Sequence, residues 1–235
     1  MIYSISPEIF DKYPGYARCV VLAFEVRNGL SPGMLVQGLC EAEASLRSGA
    51  NIETIAEHPR IKPWREAYKD FGAKPSEFRS SVEAMARRVL HGDPLPSINA
   101  LVDIGNIVSL RHLLPVGGHS LDDLTQDITL RFATGEETFF PFGSTEIEHP
   151  LPGEVIFVEG NTVLTRRWTW RQANHTLTLP ETRSLEFNID RLPPADLEDI
   201  HSAASQLMGL VQEFCGGKLR YEILDEHHRQ MELSI

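Results

Sequence analysis

Four short stretches of this 235-residue sequence set polar side chains in apolar surroundings. In Ser97-Ile-Asn-Ala-Leu-Val-Asp-Ile-Gly-Asn106, the residues Asn99, Asp103 and Asn106 recur at i, i+4 and i+7. That spacing puts them on one face of a helix. Asn and Asp are poor helix-interior residues, so such a face implies hydrogen-bonding work, either on a ligand or in a network tying the helix to neighbouring loops. In Arg166-Arg-Trp-Thr-Trp-Arg-Gln172, strand alternation places Arg167, Thr169 and Arg171 on one face. Arg166, Trp168, Trp170 and Gln172 then take the other. Arg beside Trp suits base stacking or phosphate pairing, and equally an amphipathic edge strand with its Trp in the core.

Pro115-Val-Gly-Gly-His119-Ser120 offers Gly117 and Gly118, which let backbone approach a ligand and turn N–H groups toward an oxyanion, or simply make a turn. Arg79-Ser80-Ser81 opens a helical pattern. Its hydroxyls and amides suit a carboxylate or phosphate as well as ordinary capping with surface charge.

Other chemistries find little support. There are nine histidines but no HExxH, and His227-His228 are adjacent, so a strand cannot point both the same way. The three cysteines, Cys19, Cys40 and Cys215, lie far apart in apolar frames without a CxxC pair, and read as core residues. No metal site, cofactor site or disulfide framework is expected. A GxSxG elbow, a GxGxxG and a P-loop are all missing. The net charge of −11 excludes gripping nucleic acid by bulk electrostatics, so any contact with RNA must be local.

These groups must be positioned by a soluble core, since 42% of residues are hydrophobic and no apolar run approaches the roughly 20 residues that span a bilayer. The first residues lack the pattern of a signal peptide, and a reducing cytoplasm is expected. Strands are expected at Ile2–Ile5, Ala17–Val26, Ile128–Phe132, Val155–Val158, Val163–Trp170, Thr176–Leu179, Leu185–Phe187 and Leu219–Leu224. Helices are expected at Val36–Arg47, Pro63–Phe71, Glu77–Leu90 with Ser76 as cap, Ser97–Leu110 with Ser97 as cap, and Ala195–Cys215 before Gly216-Gly217. The grouping predicts an α+β fold: one domain over residues 1–235, a mixed or antiparallel sheet core and flanking helices.

Taken in order, Trp64-Arg-Glu-Ala-Tyr-Lys-Asp-Phe-Gly72, Lys74-Pro75, Arg79-Ser-Ser81, Ile98-Asn99, Val102-Asp103-Ile-Gly-Asn106, Pro115-Val-Gly-Gly118, Gly153-Glu154-Val155 and Arg166-Arg167-Trp168-Thr-Trp170-Arg171-Gln172 resemble a freestanding B3/B4-domain protein. That domain is the editing module of the phenylalanyl-tRNA synthetase beta chain. The resemblance covers about residues 60–215. Asp103, Asn106 and Pro115 keep the spacing of the synthetase VDxxN segment and its following Pro loop. The resemblance implies hydrolysis of a mischarged aminoacyl-tRNA, with the tRNA 3′ end in a pocket between the Asn-bearing helix and the sheet.

There are departures. The synthetase His falls at Gly117, with His119 two residues on, and the Arg before Ile-Asn falls near Pro96. The Glu that reads the tyrosine hydroxyl falls near Asn188, or at Glu186 if the strands shift, so tyrosine specificity is not carried over. What the resemblance does imply is a site with Asn106, Gly117, Gly118 and His119 in catalysis. Arg79, Ser80, Ser81, Asn99, Asp103, Arg167, Trp168, Trp170, Arg171 and Gln172 would bind substrate; His119 is the candidate general base, with substrate-assisted attack through the free ribose hydroxyl of the terminal adenosine an equal alternative. The implied partners are the acceptor end of charged tRNA and an aminoacyl-tRNA synthetase, with no membrane. The alternative is a module that binds an amino acid or the aminoacylated 3′ end without turnover.

Overall fold

The computed structural model describes residues 1–144 and 146–234. In chain order it forms β1 (Ile2–Ile5), α1 (Pro7–Lys12), β2 (Ala17–Phe24), α2 (Gly33–Gly49), α3 (Lys62–Asp70), α4 (Ser81–Leu90), α5 (Ala100–His112) and β3 (Val116–Ser120). Then follow β4 (Ile128–Phe132), β5 (Val155–Glu159), β6 (Thr162–Arg166), β7 (Arg171–Gln172), β8 (Ser184–Arg191), α6 (Leu197–Phe214), β9 (Lys218–Leu224) and β10 (Gln230–Glu232). The expected α+β class holds.

There are two sheets. One has four strands in the order β3-β8-β2-β9, all antiparallel. The other has six, β10-β1-β4-β5-β6-β7, with β1 and β4 parallel. Strand β2 explains its own sequence. Cys19, Val21 and Ala23 pack with Leu185, Phe187 and Ile189 of β8 against α2, α5 and α6. Val20 and Leu22 pack instead with Leu130, Phe157 and Leu164 of the six-stranded sheet. A strand covered on both faces has no need to alternate, so it reads as a continuous apolar run. The result is three layers: helices, the four-stranded sheet and the six-stranded sheet.

The inter-sheet face of this sandwich is not wholly apolar. Arg18 of β2 and Glu186, Asn188 and Asp190 of β8 lie on it, each under 7% exposed. Arg18 donates through Nε and Nη2 to the two oxygens of Asp190 at 2.7 and 2.8 Å, and through Nη1 to the Tyr3 hydroxyl at 2.8 Å. The Tyr16 hydroxyl donates to Asp190 as well.

The structure corrects several expectations. Helix α4 starts at Ser81, so Ser76 caps nothing. The cap of α5 is Asn99, whose side chain accepts from Val102 N, and not Ser97. Residues 176–179 form no strand: the Thr178 and Leu179 carbonyls are taken by the side chains of Asn99 and Asn28, and Thr176 O by Ser120 N. Gly117 and Gly118 lie in a strand, not a turn. The strand expected to Trp170 stops at Arg166, because Arg167 and Trp168 adopt left-handed backbone at φ 46° and 63°. Cys40 is exposed, whereas Cys19 and Cys215 are buried. Helix α1 and strand β10 had no clear sequence signal.

Breaking the buried pair from one side should cost more than removing it from both. Asp190→Asn is expected to lower unfolding stability by about 3–5 kcal/mol by leaving Arg18 uncompensated, and Arg18→Met with Asp190→Leu by less. Urea denaturation of the three proteins measures this.

Candidate functional site

Strand β3 is an edge strand, and its register decides what it offers. Asp190 N donates to Pro115 O and Leu121 N to Ser184 O. Alternation then commits the backbone groups of Gly117 and His119 to β8, and turns those of Val116, Gly118 and Ser120 toward the open edge. Gln172 of β7 lies along that edge. Its Nε2 donates to Gly118 O at 2.9 Å and to Thr176 O at 2.7 Å.

Two cavities meet here. A small one of about 150 Å³ lies between the sheets, lined among others by Arg18, His119, Phe157, Thr165, Trp170 and Asn188. A larger groove of about 370 Å³ lies between α5 and the 177–179 segment, lined among others by Leu101, Val102, Asn106, Phe142, Leu177 and Leu179. Val116, Gly117, Gly118 and Gln172 line both and form the partition. Among the described residues, none that lines the groove is charged. At Gly117 a Cβ would meet Asn188 Oδ1 at 2.8 Å, so glycine is what allows the Asn188 amide to lie across the strand.

Most predicted residues converge here. Asn106 lines the groove; Gly117, Gly118 and Gln172 line both spaces; Ser81, His119, Trp168, Trp170 and Arg171 line the small cavity. Others stand outside both linings. Asn99 caps α5, and Asp103 accepts from Ser31, Ser97 and the Ile98 amide, so these two form the network tying the helix to its neighbouring loops. Ser80 takes the N-cap position of α4 without a side-chain capping bond, and Arg79 lies 4.0 Å from Glu83. Arg167 stacks on Phe78 and Trp170, with its guanidinium carbon 3.7 and 4.4 Å from the ring centroids.

Two expected roles change. Trp168 is 1% exposed and packed against Tyr13, Tyr16 and Trp64, so it has no free face on which a base could stack. His119 is 3% exposed; Nδ1 contacts the Thr176 hydroxyl at 3.0 Å and Nε2 the Thr165 hydroxyl at 3.1 Å. Burial, aided by the Arg18 and His175 charges, pushes its pKa down to about 3. With both nitrogens engaged it is a neutral hydrogen-bonding group, poorly suited to general base work.

Sequence reading missed Arg18, Thr165 and the groove residues Phe142, Leu177 and Leu179, and reached Asn188 only through the resemblance. A signal was present: Glu186, Asn188 and Asp190 recur with period two in an apolar strand, the mark of a polar stripe on a buried face.

Glu186 lies opposite His119, with Oε1 accepting from Asn188 Nδ2 at 3.0 Å and Oε2 buried without a protein partner. Burial pushes its pKa up to about 8, against the lowering charge of Arg18. The unfolded carboxyl ionises near 4.5 and the folded one near 8. Its contribution is therefore greatest below pH 4.5 and is lost as pH rises toward 8. Glu186→Gln should remove this loss: the stability of the variant relative to the parent should rise by ~2–4 kcal/mol between pH 5 and pH 8. Urea melts at the two pH values check it.

Among the described residues, no group of three or more His, Cys, Asp and Glu could hold a metal ion, and no helix is long and apolar enough to cross a membrane. No curated protein matches the chain. Of solved structures, an N-terminal fragment of the phenylalanyl-tRNA synthetase beta-subunit from Pyrococcus horikoshii is similar at 12% identity and TM-score 0.49. The match covers 93% of this chain and 50% of that one, so the chain spans half the length of that fragment. The model of the B3/4 domain family matches residues 63–216. Strands β1, β2, β9 and β10, outside those limits, complete both sheets. With the family model covering well over half of it, this chain belongs to the B3/4 domain family.

Proposed function

We propose that this protein hydrolyses the ester bond of mischarged aminoacyl-tRNA, acting in trans on the acceptor end, as the family resemblance implies. The observation that supports this most directly is the pair of adjoining cavities of different chemistry divided by Gly117, Gly118 and Gln172. The small inter-sheet cavity suits an amino-acid side chain. The uncharged groove beside Asn106 suits the terminal adenosine. The ester then crosses the partition.

The groups at the partition fit ester hydrolysis. The Gly118 N–H faces the strand edge, where it can donate to the oxyanion; the Gly117 N–H is committed to β8, so of the two glycines only Gly118 serves. Gln172 Nε2 is occupied by two carbonyls, which leaves Oε1 as a fixed acceptor for the attacking water or the substrate ammonium. An aminoacyl ester is already activated and requires placement more than a strong base. Water adds to the carbonyl carbon and the C–O bond to ribose breaks. The ribose oxygen leaves with the proton that the water gives up, carried by the free vicinal hydroxyl of the same ribose. In this reading the whole chain is one domain working in the cytoplasm beside a synthetase.

A second reading is a binding module for an amino acid or the aminoacylated 3′ end. It is favoured by the hydroxyl partners that hold both nitrogens of His119 and leave the cavity without a free imidazole.

A panel of mischarged tRNAs separates the two. Multiple-turnover release of one amino-acid class is expected, with a pH profile that shows no inflection near 6.5. Gln172→Ala should lower kcat by about 10²-fold, the scale of one lost transition-state contact, with a lowered Tm but a protein still folded at the assay temperature. No release from any charged tRNA, together with a ligand-dependent rise in Tm, would establish the binding module.

A further inference from the structure

Charge is spread unevenly along this acidic chain. Residues 58–92 hold eight Lys and Arg against four Asp and Glu, while the other 200 residues hold fourteen against twenty-nine. The basic segment contains α3 and α4. On α3, Lys62, Arg65 and Lys69 follow at i, i+3 and i+7 and share one face. Arg79, Glu83 and Arg87 follow at four-residue spacing into α4.

The two rows meet at one carboxylate. Glu83 Oε1 accepts from Arg65 Nη1 at 2.6 Å and from Arg87 Nε at 2.8 Å, with Arg79 Nε at 4.0 Å. The Glu83 side chain is 1% exposed, yet those of Arg65, Arg79 and Arg87 keep 23%, 41% and 24%. One buried acid thus fixes two guanidiniums, attracts a third at 4.0 Å, and offsets only one of their charges. Two residues before Glu83, Ser81 lines the small cavity, and Phe78 packs edge-on against Trp170 of the same lining. At about 1.5 Å per residue, Arg87 lies roughly 9 Å along the helix from Ser81.

We propose that the α3–α4 face binds the phosphodiester backbone of an RNA duplex whose unpaired 3′ end enters the cavity. This rests on the reading above for the direction of the RNA. Guanidinium forks match phosphate oxygens in pairs, and guanidiniums already held by Glu83 lose less freedom on binding. At the cavity end of the basic face Arg167, stacked on Phe78 and Trp170, adds a further planar cation of the kind that meets phosphate. The acidic remainder of the chain repels phosphate, so the duplex has one favourable approach.

The test uses an uncharged acceptor-stem minihelix with a single-stranded 3′ end, followed by fluorescence anisotropy from 50 to 200 mM KCl. Lys62→Glu with Lys69→Glu leaves the Glu83 cluster intact. It is expected to weaken binding at least tenfold at 50 mM KCl and to reduce the slope of log Kobs against log salt by about one to two, near 0.9 per lost phosphate contact, since Lys62 is already paired with Glu57 at 3.0 Å. Lys218→Glu, on β9, should change neither. Equal binding by the double variant, equal loss with Lys218→Glu, or displacement of the minihelix by poly-L-glutamate as effectively as by RNA would each overturn the proposal. Minihelix binding without ester hydrolysis removes the deacylase and keeps this surface. Hydrolysis of charged tRNA that the double variant leaves unchanged removes this surface and keeps the deacylase.

Discussion

The Arg18–Asp190 pair is the constraint on which the rest of this molecule depends. Both groups sit on the face where the two sheets meet, and both are at most 1% exposed. Removing two charges from water is costly, so the pair is poor evidence of added stability. What it does is fix positions. Arg18 ties β2 to Tyr3 of β1 in the opposite sheet, Asp190 ties β8 to Tyr16, and the Tyr16 hydroxyl accepts from the Trp168 indole at 3.3 Å. Three elements are held across the interface at the point where the small cavity opens. Arg18 itself lines that cavity. An all-apolar interface would pack closed; a bonded polar stripe holds a defined gap.

The second constraint is the turn at Arg167 and Trp168. Consecutive non-glycine residues in left-handed backbone cost about 1–3 kcal/mol each and persist only where their surroundings fix them. Here Trp168 N donates to Val155 O at 2.7 Å, Arg167 N donates to Glu154 at 3.1 Å, and the indole is enclosed by three aromatic rings. The turn ends β6 and returns the chain as β7, which sets Gln172 against the free edge of β3. Continued as a strand, the segment would have buried its alternate residues and left the partition without its amide.

These two constraints explain what was legible in the sequence. Helix α6 was readable because apolar spacing and Gly216-Gly217 agree, although the capping box that Asp196 closes with Asp199 was not read. Strand β2 was readable from its apolar run. The clustering of Asn106, the two glycines and Gln172 came from motif order, which the fold respects. The end of β6 was not legible, because alternation in Arg166–Gln172 fits a strand and only enclosure by distant aromatics imposes the turn. Asn99 and Asp103 took the network role that their polar face allowed, through the local partners Val102, Ser97 and Ile98, but their partners Thr178 and Ser31, far along the chain, were not legible. His119 shows the limit most clearly: its ordinary pKa suits a base, and burial between two sheets, invisible in local sequence, pushes it down to about 3.

The outcome is a separation of charge that suits the proposed ester hydrolysis. Within the small cavity Arg18 is neutralised by Asp190, Arg171 lies 3.6 Å from Glu148 at its half-exposed side, and His119 is neutral; beneath it, Glu186 is held largely protonated near neutrality. A polyanion would meet no compensating charge in the groove, where none of the described lining residues is charged. An ester, a nucleobase and a neutral side chain can all enter such a space, since each needs hydrogen bonds and apolar contact rather than counterions. The phosphates of the proposed RNA substrate would then be met outside, and excess positive charge lies outside, on α3 and α4, organised by one buried carboxylate. Within the site, fixed neutral dipoles such as the Gly118 amide act with little reorganisation, and water exclusion strengthens them. A charged group at the partition would bind ground state and product as firmly as the transition state. In the hydrolysis proposed above, an amide aimed at the place where the oxyanion would form would stabilise mainly the transition state, and only such a difference accelerates a reaction.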